Sequence, residues 1–119
     1  MAEEKLPGHY LFERQEHKDF MQAVEQLGQT IRSLGPIDAK TAHLIQMAAA
    51  ITTLSQGSTH SHVRRALEAG ATPEEIYHAI ILLTSTIGFP TVAAALSWAD
   101  DVIPDPGAIQ KAGQGGGQP

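Results

Sequence analysis

The chain contains no cysteine at all. That removes disulfides, thiolate metal sites and any thiol-based peroxidase cycle. Aromatic residues make up only 5% of a chain that is 42% hydrophobic. A core must therefore be assembled from Ala, Leu, Ile, Val and Met, a set that suits close helix–helix packing better than a β-sandwich. Basic residues are also few, 8 against 13 acidic ones for a net charge of −5. With no basic cluster larger than Arg64-Arg65, binding to nucleic acid is not expected. No apolar run approaches the roughly 20 residues that cross a bilayer, so no membrane partner is expected. Met1-Ala-Glu-Glu-Lys5 has neither the basic flank nor the apolar core of a signal peptide, and a cytoplasmic location is the expectation.

What is present is helical. At 119 residues the chain has the length of one domain, able to bury about 65% of its unfolded surface. Cores so light in large side chains often complete their burial in an oligomer. Residues 1–12, with Leu6-Pro7-Gly8, read as an N-terminal arm. From Glu13 onward, Phe20, Val24, Leu27, Ile31 and Leu34 recur at spacings of three and four, which predicts a helix ended by Gly35-Pro36. Asp38 is placed to cap a second helix running to about Leu54. Ser55-Gln56-Gly57 breaks the pattern, Ser58 is placed to cap a third helix, and Gly70 is its expected stop. Thr72-Pro73-Glu74-Glu75 has the form of a capping box with proline at the first helical position. It opens a fourth helix to about Ile87, apolar around much of its surface and so expected to be buried on more than one face. Gly88-Phe89-Pro90 precedes a fifth helix from Thr91 to about Val102. The Gly-, Pro- and Gln-rich residues 104–119 read as a disordered tail. The expectation is an all-α fold, a compact bundle of about five helices over 13–103.

The segment Ser55-Gln-Gly-Ser-Thr-His-Ser-His62-Val-Arg-Arg-Ala-Leu67, with Gly70-Ala-Thr-Pro-Glu-Glu-Ile76 and Gly88-Phe89-Pro90 before an Ala-rich helix, resembles the core motif of the carboxymuconolactone decarboxylase / alkylhydroperoxidase D family. The resemblance covers roughly 37–102. It implies an all-α fold assembled as a homotrimer or homohexamer. In the redox branch a Cys-x-x-Cys pair precedes the histidine; the corresponding positions here are Ser55 and Ser58, whose hydroxyls cannot turn over a peroxide. A glutamate of the redox proton relay falls, by spacing, near His43. The decarboxylase branch does not need cysteines. Its segment looks like Ser61-His62-Val63-Arg64-Arg65-Ala66-Leu67, which implies His62 as the acid/base of a cofactor-independent lyase acting on a small carboxylated lactone or keto acid. Imidazole suits that role because it gives and takes a proton near neutrality.

Around His62, Ser58 is the second catalytic candidate, and Ser55, His60, Arg65 and Phe89 are candidate ligand-binding residues. The bland alternatives are a capping role for the serines, an ion pair with Glu68 for the arginines, and a fixed helix entry for Phe89-Pro90. His60-x-His62 also raises a divalent metal site with His43, since three histidines and a water form a known zinc arrangement. Residues two apart on a regular helix point about 200° from one another, which works against that site. His78 reads as a core or interface histidine, and Trp98 as a core or interface anchor. Three functions remain open from sequence: the lyase, a non-catalytic metal- or small-ligand-binding homo-oligomer using His43, His60 and His62, and an interaction module that has lost its chemistry.

Overall fold

A computed structural model describes residues 17–104. The described residues form helices joined by short turns, with no strand among them: α1 Lys18–Arg32, α2 Ala39–Thr52, α3 Gln56–Glu68, α4 Pro73–Ile81, α5 Thr84–Ile87 and α6 Phe89–Val102. The arm at 1–12 and nearly all of the tail at 104–119 lie outside the described residues. The chain divides after Pro36 into two units, 1–36 and 37–119, so the division falls within the span 13–103 that the sequence reads as one domain.

In the first unit, α1 stops at Arg32, before Gly35-Pro36. The Ser33 amide bonds back to Gln29 and its hydroxyl donates to the Thr30 carbonyl, at 2.9 Å. These local bonds close the last turn before glycine and proline are reached. No residue of α1 is buried, and its whole apolar stripe is exposed, from Phe20 at 61% to Ile31 at 48%.

The second unit holds the core. Asp38 caps α2 as its sequence suggests, accepting from the Thr41 amide at 2.7 Å. Helix α2 packs most extensively on α3, and α3 and α4 both pack on α6. Between them lie Met47, Ile51, Val63, Ile76, Ile80 and Val92, each shielded from solvent. Burying side chains of this size contributes roughly 1.5–3 kcal/mol apiece. Thr72 and Glu75 complete the capping box of α4, each side chain bonded to the other residue's backbone amide.

Four local readings are corrected. The cap of α3 is Ser55 rather than Ser58, and Gly57 lies inside the helix. Three residues separate an N-cap from the amide it accepts, and from Ser55 that amide is Ser58's own. The fourth helix ends at Ile81, turns through Leu82-Leu83 and resumes as the single-turn α5. With it goes the expectation of burial on more than one face: Ile76 and Ile80 are buried, while Ile81 and Leu82 are 51% and 63% exposed. His78 is likewise exposed, not in the core. Trp98 packs against the core, half-buried.

Candidate functional site

The turn between α2 and α3 sets the register of the site. Leu54 takes a left-handed backbone, φ 59°, a conformation that costs a non-glycine residue about 1–2 kcal/mol. It redirects the chain so that the Ser55 amide bonds the Ala50 carbonyl while the Ser55 hydroxyl accepts from the Ser58 amide at 3.3 Å. Thr59, fully buried, donates its hydroxyl to the Ser55 carbonyl at 2.8 Å. The first turn of α3 is thus fixed by three bonds converging on one serine.

Two stripes run along α3 from that start. Thr59, Val63 and Ala66 face the core. Ser58, His62 and Arg65, at steps of four and three, share a second face, and all three are half-buried. On α2, His43 heads the buried stripe continued by Met47, Ala50 and Ile51.

The two stripes bring His43 and His62 together. Their Nδ1 atoms lie 3.3 Å apart across 19 residues of sequence. The ring centroids are 5.5 Å apart with planes tilted by 39°. His43 is only 6% exposed, so it is the inner member and His62 the outer. Only one of the facing Nδ1 atoms can carry the proton of this contact.

His60 does not join them. Its Nε2 lies 2.9 Å from a carboxylate oxygen of Asp101 on α6. The opposed directions of neighbouring i and i+2 side chains send one histidine to α2 and the other to α6. Among the described residues no group of three His, Cys, Asp or Glu side chains is arranged to hold a metal ion. A single-chain site built from His43, His60 and His62 together is therefore not formed.

The remaining candidates divide. Ser55 is occupied as a cap, with its hydroxyl facing its own helix. Ser58 stands one turn before His62 on the same face, and Arg65 one turn after it. No ion pair joins Arg64 or Arg65 to Glu68 among the described residues. Phe89 is 63% exposed at the first position of α6.

Two polar pairs escape the sequence reading. One is His60 with Asp101. The other is Tyr77, whose hydroxyl donates to Asp100 at 2.5 Å. Burial first, then the Asp100 carboxylate, pushes the Tyr77 phenol well above its ordinary range. Partners that lie 41 and 23 residues away in sequence leave no local signal, and only the packing of α6 reveals them.

No helix among the described residues is long and apolar enough to cross a membrane. Comparison with curated proteins gives no match, and neither does comparison with solved structures. A family model described as the carboxymuconolactone decarboxylase family matches residues 18–101, reaching further toward the N-terminus than the motif at 37–102 and taking in α1. With its all-helical core and its histidine-bearing α3, the chain belongs to the carboxymuconolactone decarboxylase family.

Proposed function

We propose that the protein is a cofactor-independent lyase acting on a small carboxylated lactone or keto acid, with His62 as acid/base. The observation that carries this reading is His62 itself: a half-buried imidazole held by His43 on one side, with Ser58 and Arg65 on its own helix face. Arg65 offers a guanidinium for a substrate carboxylate, and Ser58 a hydroxyl within the same stripe. In the reaction the bond between the carboxylate and its neighbouring carbon breaks and CO2 departs. The electron pair stays on that carbon, which then takes a proton from His62. No oxidant, thiol or metal is required, in keeping with a chain that has no cysteine.

The test is decarboxylation of a carboxylated lactone, followed by CO2 release, with wild-type protein and His62→Ala. General acid–base catalysis contributes typically 10²–10⁴-fold, and a loss of that order in His62→Ala with the fold intact is expected. Turnover retained by His62→Ala would remove His62 from the chemistry.

A second reading is a metal-binding protein. Two imidazole nitrogens at 3.3 Å match the separation of two ligands about 2.0–2.1 Å from one tetrahedral ion. Native mass spectrometry of protein purified without added metal separates the two: a stoichiometric metal mass favours the second, a metal-free chain the first. The same spectrum reports the subunit count. Self-association as a homotrimer or homohexamer is part of the proposal, supported by the exposed apolar residues Phe20, Leu27, Ile81, Leu82 and Phe89.

A further inference from the structure

The inner histidine has no part yet in the chemistry, and its geometry gives it one. His43 sits in the buried stripe of α2 and meets His62 through Nδ1. If neither Nδ1 held a proton, two lone pairs would face each other at 3.3 Å; if both did, two N–H groups would. The contact survives only with one proton in it. For His62 this uses up Nδ1 and leaves Nε2 as the ring's other proton-bearing atom.

We propose that His43 is the positioning residue and proton reserve of His62, so that substrate is met by Nε2 of His62 alone and the pair passes one proton outward per turnover. This rests on the lyase reading and names the atom through which it works. The transfer requires the pair to carry one positive charge. His43 then holds protons on both nitrogens and donates from Nδ1, while His62 is neutral with its proton on Nε2. When CO2 leaves, the carbon takes the Nε2 proton of His62, and the Nδ1 proton of His43 crosses to Nδ1 of His62. Both rings end neutral, His43 protonated at Nε2 and His62 at Nδ1. The pair is one proton poorer and regains it from water. A second charge on the pair would set two N–H groups face to face and break the contact.

The titratable neighbours on the packed elements are largely committed to one another. Lys40 on α2 is held by Glu75 on α4, His60 on α3 by Asp101 on α6, and Tyr77 on α4 by Asp100 on α6. Arg64, Arg65 and Glu68 stand on α3 itself, and Glu74 and His78 are exposed on α4.

The experiment reads the proton directly, by 15N NMR of the histidine rings in the full-length wild-type protein, so that it does not depend on finding a substrate. A scalar coupling between the two Nδ1 nuclei is expected, with His62 protonated at Nε2 in the pair that carries one charge. In His43→Ala, the tautomer balance of His62 should shift away from the Nε2-protonated form. His43→Gln, whose amide can donate to Nδ1 but cannot pass a proton on, should keep the His62 tautomer. With a carboxylated lactone that is turned over, His43→Gln should lose at least 10-fold in kcat with KM changed less than 3-fold. An absent coupling, a His62 tautomer indifferent to His43→Ala, or a metal ion found on both Nδ1 atoms would each overturn the proposal. Coupling present with no turnover of any lactone would retire the lyase reading while leaving the shared proton standing.

Discussion

Helix α1 and helix α2 are nearly equal in length, 15 and 14 residues, yet they relate to solvent in opposite ways. On α1 the apolar residues recur with the regularity expected of an amphipathic helix, and none is buried. On α2 the apolar residues spread around the helix, and His43, Met47, Ala50 and Ile51 are buried. Periodicity therefore announces that a helix has an apolar side, and says nothing of whether that side is buried. Helix α2 reaches the core through a single stripe, which α3, α4 and α6 cover.

Substitutions can break that contrast. The largest effect is expected for Ile80→Ala or Met47→Ala, both at fully buried positions, with a loss of about 2–5 kcal/mol in urea denaturation. Leu27→Ala, at a position 58% exposed, should cost less than about 1 kcal/mol in dilute protein. Its cost should grow with concentration if copies associate through α1. An equal loss for Leu27→Ala and Ile80→Ala at the lowest concentration would mean that the stripe is covered within a single chain, and the contrast would fail.

Smaller effects sharpen the picture of the second unit. Thr72→Ala removes one half of the capping box and should lower stability by about 1 kcal/mol. Leu54→Gly should be neutral to stabilising by up to about 1 kcal/mol, because relief of the left-handed backbone outweighs the small burial of a side chain 66% exposed. Thermal melts of the two variants should move in different directions.

The smallest effects are those of pH. Hydrogen bonds from Thr41 hold Asp38 below the usual carboxylate range, and the Thr72 amide followed by the Lys40 ammonium does the same for Glu75. Carboxylates depressed in the folded state stabilise it above their unfolded values. That support disappears as pH falls through the folded ones, so stability should decline below about pH 4. Tyr77 works in the other sense. Its raised phenol favours the fold below the ordinary tyrosine value, and this is lost as pH climbs above about 10. Denaturation midpoints across both limbs, compared with Tyr77→Phe on the alkaline one, check the signs.

Much of the fold is legible in the sequence because its stops and starts are chemical. Asp38, Gly70 and Thr72-Pro73 mark boundaries that the structure keeps, Gly70 in the left-handed region at φ 105°. The break after Ile81 is not legible, since Leu82-Leu83 contains no residue that forbids a helix. Nor is the left-handed turn at Leu54, where glycine or asparagine would have announced it. At the site, the resemblance singles out His62 and points to His43 as the relay position, and helix geometry correctly separates His60 from His62. The direct contact of His43 with His62 comes only from the packing of α2 on α3. What the sequence withholds is the choice of partners, Asp101 for His60 and Asp100 for Tyr77, which depends on how α6 lies across α3 and α4.

One side chain described at the start of α4 has a reach beyond its own helix. Glu75 accepts from the Thr72 amide and also from the Lys40 ammonium, at 3.1 Å, in the first turn of α2. The opening turns of two helices distant in sequence are thus tied through a single carboxylate, and neither frays without slackening the other. In hydrogen exchange the amides of Thr41, Thr72 and Glu75 should open as one cooperative unit, and Lys40→Met should split that unit in two.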